Sequence, residues 1–236
     1  MVKVESQVKI IDAQEGIVRV TPKRKKVAIL GAGKSRHKAP FNDNDWEFWG
    51  LNEIPQDRAE RWFELHPVEV QTYSELEWLK NSERPVYLLE LDTEIPQGVR
   101  YPIEKVLSVE GAKDYFTSTF AYQVALAIYE GFEEIGLWGV PFFIGSPREQ
   151  TFERTCLEWW LGLAIGKGMK VTTVASDKLM YHPHRYGYDY YEEKRYVEGT
   201  MSYLGKRIHT FQDHLIPDAG SYQPVGGGGD FWLGFD

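Results

Sequence analysis

The residue types able to do chemistry in this chain gather in four short segments. Gly31-Ala-Gly33-Lys34-Ser35-Arg36 follows an apolar run. Two glycines just past a buried strand let backbone N–H groups approach an anion, and Lys34 and Arg36 add positive charge. Asn52 and Glu53 follow a second apolar run, at roughly the spacing where an acid holds ribose hydroxyls in dinucleotide-binding folds. Glu64 and His66 stand two apart and point the same way from an extended chain. A carboxylate beside an imidazole can act as an acid/base pair or hold a divalent metal; a hydrogen-bonded structural histidine is the alternative. Thr117-Ser118-Thr119 places three hydroxyls at the start of a helical pattern, where open backbone N–H groups seat a phosphate or carboxylate.

Two motif readings stop short. Gly33-Lys34-Ser35 matches the end of a phosphate-binding loop, yet the first glycine of that motif would be Ala28, inside the strand. The dinucleotide fingerprint keeps Gly31 and Gly33 and puts Arg36 where its third glycine belongs. What remains is an anion site on half a fingerprint. His182-Pro-His184 lacks further metal-ligand spacing, and no metal site is expected. No Ser-His-Asp arrangement, nucleophile elbow or zinc cysteine cluster is visible. Arg154 and Glu158 can pair along a helix face; a sharper reading turns Glu149 or Arg154 toward the strand ends.

These segments need elements to position them. Val27–Leu30, Trp46–Leu51, Arg61–Leu65, Pro85–Leu89, Glu134–Val140 and Lys170–Val174 read as strands; Val27–Leu30 is a continuous apolar run, the mark of a strand covered on both faces, and Glu134–Val140 reads as buried. Glu69–Lys80, Ser118–Gly131 and Arg148–Gly166 carry helical spacing, the second stopped by Gly131. Residues 92–114 read as a long irregular excursion over the strand ends. Helix alternating with strand at short joints predicts an α/β fold: a Rossmann-like open, mostly parallel sheet flanked by helices. The expected organisation is an N-terminal arm or hairpin over 1–22, the Rossmann-like domain over 23–180, and an aromatic-rich helical extension with a Gly-rich tail over 181–236. Within the last part, Tyr191–His214 reads as one helix.

Composition narrows the function classes. A net charge of −8 disfavours a protein that grips duplex nucleic acid by its phosphates. The one basic cluster, Lys23-Arg24-Lys25-Lys26, reads as a solvated lead-in to the first buried strand. The single cysteine, Cys156, excludes an intramolecular disulfide and reads as a buried small hydrophobe. No apolar run reaches membrane-spanning length and the N-terminus lacks a signal-peptide core, so a cytoplasmic protein is expected. The tail Phe231-Trp232-Leu233-Gly-Phe235 behind four glycines suggests a tethered aromatic plug, through which a homo-oligomer could form.

In sequence order, Leu30-Gly-Ala-Gly-Lys-Ser-Arg36, Trp49-Gly-Leu-Asn52, Arg61-Trp-Phe-Glu-Leu-His66, Tyr115-Phe-Thr-Ser-Thr119 and Ile135-Gly-Leu-Trp-Gly-Val140 resemble a family of bacteriophage proteins with a Rossmann-like fold. The resemblance covers roughly residues 25 to 180. It implies a fold and a host-cytoplasm location, and no activity. More distantly, the glycine loop and the strands ending in Asn and in Gly-Val are similar to bacterial sialyltransferases and to hydroxymethylpterin diphosphokinase-like proteins. That similarity implies a nucleotide-sugar or nucleoside triphosphate, with Gly31, Gly33 and Ser35 at phosphate and Asn52 at the sugar or base. Val140-Pro141 departs from the pattern, because an acid often follows the glycine in such strands.

The leading expectation is a transferase, glycosyl or phosphoryl, using a nucleotide or nucleotide-sugar, with any Mg²⁺ requirement left open. Gly31, Gly33, Ser35 and Arg36 would hold phosphate, Asn52 and Glu53 the nucleoside, and His66 or Glu64 would assist proton transfer. The rivals are a non-catalytic binder of nucleotides or signalling dinucleotides, and an interaction protein working through its tail.

Overall fold

In the computed structural model, residues 9–12, 17–19, 24–52, 58–142, 149–189, 191, 192 and 195 are described, with backbone alone for 9–12, 17–19, 149 and 150. The fold is built on strands that bury both faces. In β3 (Lys26–Leu30) every residue after the first is buried, and in β4 (Trp46–Leu51) all six are. Alternation splits them between two layers: Val27 and Ile29 join one core, while Ala28 and Leu30 join another on the opposite face. Around this pair stand β5 (Arg61–Phe63), β6 (Val86–Leu88), β7 (Gly98–Arg100), β8 (Glu134–Trp138) and β9 (Lys170–Thr173). Together they form a seven-stranded sheet in the order β7-β6-β5-β4-β3-β8-β9, and every pairing is parallel. This is an open α/β sheet of Rossmann-like type. The N-terminal strands β1 (Lys9–Asp12) and β2 (Ile17–Arg19) pair antiparallel as a separate ribbon.

The helices follow their sequence signals. Thr72 and Glu75 form a reciprocal cap at the start of α1 (Tyr73–Lys80), so the helix starts later than its apolar spacing suggests, after a 3₁₀ turn at Val68–Val70. The stretch expected to be irregular over 92–114 holds the edge strand β7 and the short helix α2 (Ile103–Leu107). Helix α3 (Thr119–Glu130) ends on Gly131 in the left-handed region. A π-helical turn at Glu149–Glu153 leads into α4 (Arg154–Gly166). Val124, Ala125 and Ile128 of α3 and Cys156, Trp160 and Leu161 of α4 pack with Val27, Trp49, Phe63 and Ile135 in the larger core. Each fully buried aliphatic side chain there contributes about 1.5–3 kcal/mol.

At the amino ends of the strands a buried ion network fixes the sheet. Arg61, 1 % exposed, places Nε 2.5 Å from Glu47 Oε1 and Nη1 2.7 Å from Glu130 Oε1. Its Nη1 also donates to the Tyr87 hydroxyl at 3.2 Å, and Trp49 Nε1 donates to Glu47 at 2.9 Å. Burial works against the guanidinium's charge, but Tyr87, Glu130 and Glu47 outweigh it and hold Arg61 above its ordinary value. Three strands and α3 meet at this one side chain, at the end of the sheet opposite the strand-end loops.

The described residues of the basic lead-in are also paired, but at or near the surface. Arg24 pairs with Glu60, Lys25 with Glu133 and Lys26 with Asp45. Cys156 is fully buried, and burial pushes its thiol up. Among the described residues no helix is long and apolar enough to cross a membrane. The chain divides into two units, Met1–Tyr181 and His182–Asp236. In the second, Tyr186, Tyr188 and Tyr191 are exposed, and Arg185 N–H donates to Asp189 Oδ2 at 2.9 Å. The rest of the expected helix over 191–214 and the aromatic tail lie outside the described residues.

Candidate functional site

Ligands on open parallel sheets collect at the carboxyl ends of the strands, beside the point where connections run off in opposite directions. In this sheet that point lies between β3 and β8. It is closed. Gly31 N–H donates to Trp138 O at 2.8 Å and Gly33 N–H to Gly139 O at 2.9 Å. A Cβ on Gly31 would stand 2.1 Å from Gly139 O, and one on Gly139, at φ +77°, would stand 2.6 Å from Gly31 O. These glycines let two chain segments touch. Ser35, nearly buried, donates from Oγ to Asp177 Oδ2 at 2.5 Å and accepts from Gly139 N–H at 2.6 Å. Asp177 Oδ2 takes a further bond from Val140 N–H at 3.1 Å. The N–H groups of Gly31 and Gly33 and the hydroxyl of Ser35 are thus spent inside the protein, fastening β3, β8 and the turn after β9 together.

Among the described residues, open space lies over β4 and β5. A cavity of about 430 Å³ is walled by Leu51 and Asn52 at the end of β4, Leu65 and His66 beyond β5, and Thr117–Phe120 with Tyr122 at the start of α3; Glu153 completes it. Five residues that the sequence singles out, Asn52, His66, Thr117, Ser118 and Thr119, meet here. The glycine loop and Arg36 are not among its described walls. Glu53 lies outside the described residues.

Two features of the wall are costly for a protein to keep. Asn52 holds φ 48°, in the left-handed region that asparagine enters more readily than other non-glycine residues, and its buried Oδ1 has no hydrogen-bond partner among the described residues. Ser118 occupies the N-cap of α3 without making a side-chain cap bond, and its buried Oγ is likewise unpartnered. An orphaned buried polar atom costs about 1–3 kcal/mol, and both residues line this cavity. The N–H groups of Thr119 and Phe120, in the first turn of α3, have no partner within the helix, and the helix dipole makes that end attractive to an anion.

The imidazole is oriented from behind. His66 Nδ1 lies 2.5 Å from Glu64 Oε1, and Glu64 is 1 % exposed while the His66 side chain is 54 % exposed. The same Oε1 accepts from His66 N–H and from Gln71 Nε2, each at 3.2 Å. A carboxylate can only accept, so Nδ1 carries the hydrogen, and in the neutral ring Nε2 then keeps the lone pair. Tyr122 adds an aromatic wall, stacked on Phe116 at 4.2 Å between ring centroids. Burial pushes its phenol up, with Asp114 adding to the effect. Arg154, by contrast, pairs with Glu158 at 2.9 Å, the plain helical pairing, and its neighbour Glu153 reaches the cavity instead. Among the described residues no group of three or more His, Cys, Asp or Glu side chains could hold a metal ion.

No protein-family model matches this chain, and no curated protein does. Solved structures show partial likeness. Sialyltransferase CstII from Campylobacter jejuni with cytidine-5'-monophosphate is 17% identical over 63% of this chain and 79% of its own, at a TM-score of 0.43. The same enzyme with CMP-3FNeuAc is 15% identical over 63% and 79%, at 0.46. An α-2,3-sialyltransferase from Campylobacter jejuni in apo form is 16% identical over 70% and 80%, at 0.44.

Sequence reasoning missed Asp177, Tyr122 and Glu153. Asp177 sits in Ala-Ser-Asp after the last strand, where nothing in the local sequence marks it. Tyr122 was legible: it falls one turn past Ser118 in the helical pattern, on the side that carries the hydroxyls.

Proposed function

We propose that the protein is a transferase that binds a nucleotide-sugar in the cavity between β4, β5 and the start of α3. The observation that supports this most directly is that Asn52 and Ser118, each with a buried side-chain oxygen unpartnered among the described residues, line one cavity with a carboxylate-held histidine. In this reading Ser118 Oγ donates to a phosphate oxygen, the first-turn N–H groups of Thr119 and Phe120 receive the remaining charge, and Thr117 and Thr119 flank it. Asn52 Oδ1 accepts from a hydroxyl or amino group of the nucleoside, and Tyr122 offers a ring face to the base. Gly31, Gly33 and Ser35 act as the frame that holds the strand ends rather than as ligands.

His66 then takes part in transfer. Its Nε2 accepts the proton of an acceptor hydroxyl as that oxygen attacks the sugar's anomeric carbon. The bond from that carbon to the phosphate breaks, and the nucleotide leaves with the electron pair. Glu64 keeps the ring in the right tautomer and offsets the imidazolium charge that forms.

The test is a thermal-shift screen against nucleotides and nucleotide-sugars, with and without Mg²⁺, followed by product analysis of any hit. A ligand at a hundred times its Kd adds about 2.7 kcal/mol. Ser118→Ala should weaken the hit and Arg36→Ala should not. A hit that is bound and recovered intact would make the protein a binder rather than a transferase, and the absence of any hit would refute the site.

A further inference from the structure

A second, smaller cavity of about 230 Å³ adjoins the first at the same edge of the sheet. Its walls are Pro67, Val68 and Glu69 after β5, and Leu88, Leu89 and Glu90 at the end of β6. His66 lines both cavities. A side chain common to two cavities can touch an occupant of each, and in the neutral ring this one carries its lone pair on Nε2, because Nδ1 bonds to Glu64.

From this shared histidine we infer that the second cavity receives the acceptor, and that the acceptor is a neutral, hydroxyl-rich molecule such as an uncharged oligosaccharide. The inference rests on the transferase reading of the first cavity. Leu88, Leu89, Pro67 and Val68 give the cavity an apolar surface suited to the C–H face of a sugar ring. Glu69 and Glu90 are exposed, and among the described residues neither is engaged in a hydrogen bond or an ion pair. Carboxylates so placed accept hydrogen bonds from hydroxyl groups and repel an acidic acceptor. The acceptor hydroxyl would reach His66 from the β6 side while the donor's anomeric carbon lies on the α3 side. The proton passes to Nε2, the new C–O bond forms, and the donor's C–O(phosphate) bond breaks.

The experiment uses the full chain on an array of neutral, amino and acidic oligosaccharides, with a parallel thermal-shift measurement against CMP, UDP and GDP. Neutral oligosaccharides should be retained and acidic ones ignored. Glu90→Lys should weaken neutral binding about tenfold or more while leaving the nucleotide shift unchanged. Glu90→Gln, the milder change, should fall between. A protein that responds to a nucleotide but retains no neutral oligosaccharide, prefers acidic ones, or binds equally well as Glu90→Lys overturns the acceptor cavity alone. A protein that responds to no nucleotide overturns the reading of the first cavity, whatever the array shows.

Discussion

Ser118→Ala should separate stability from binding, and the two effects should have opposite signs. At an ordinary N-cap, replacing serine by alanine costs about 1 kcal/mol because the side chain bonds a first-turn N–H. Ser118 makes no such bond, so that loss does not apply. Its Oγ is buried without a partner, and removing an orphaned hydroxyl relieves part of a penalty of about 1–3 kcal/mol. The variant should therefore be as stable as the parent or more stable, by up to about 1 kcal/mol. Binding moves the other way. A hydrogen bond from a hydroxyl to a charged phosphate oxygen contributes about 1.5–3 kcal/mol, and each 1.4 kcal/mol is a factor of ten. Nucleotide affinity should fall by about tenfold to a hundredfold. Urea titration followed by circular dichroism reads the first effect, and calorimetric titration with a nucleotide reads the second. A variant destabilised like a broken cap, or one with parental affinity, would refute the reasoning about this hydroxyl.

Three further outcomes follow from the frame that holds the site. Arg61→Met strands the Glu47 and Glu130 carboxylates in a buried setting and should cost about 3–5 kcal/mol in urea unfolding; a cost below 1 kcal/mol would mean the network is not a unit. Gly139→Ala forces a side chain onto a backbone at φ +77° and 2.6 Å from Gly31 O, which should cost more than about 2 kcal/mol by the same assay. Burial holds the Tyr87 and Tyr101 phenols above their ordinary value. A raised folded pKa gives stability that is complete below the unfolded value of about 10 and is lost as pH climbs past it, by up to about 1.4 kcal/mol per pH unit for each group. Melting temperature should fall above about pH 10, more gently in Tyr101→Phe; an unchanged slope in that variant would contradict the assignment.

Much of the fold was legible because its signals are local. Val27–Leu30 is apolar enough to declare a doubly covered strand, and β3 adds only Lys26 to it; Trp46–Leu51 reads as a strand, and β4 spans those same residues. The spacing of Phe120, Val124, Ala127 and Ile128, closed by Gly131, gave α3 to within a residue at either end. Strand β7 escaped notice because only Val99 of its three residues is buried, and one inward residue between Pro96 and Pro102 makes no pattern. The candidate site was legible in part for a related reason. Hydroxyls at a helix start and an i, i+2 carboxylate–imidazole pair are local, and the structure brings Thr117–Thr119, Asn52 and His66 to one cavity. The glycine loop was harder, since a glycine kept for a close backbone approach looks the same whether the neighbour is an anion or another strand. Its neighbour is Gly139, distant in sequence, and only the parallel pairing of β3 with β8 reveals it.

The most direct test is a crystal structure of the protein soaked with the nucleotide-sugar that gives the largest thermal shift. The account predicts phosphate oxygens against Ser118 Oγ and the N–H groups of Thr119 and Phe120, the nucleoside near Asn52, and the sugar toward His66. A nucleotide lodged instead against Gly31, Gly33 and Arg36, with the bonds between β3 and β8 opened to admit it, would contradict the account.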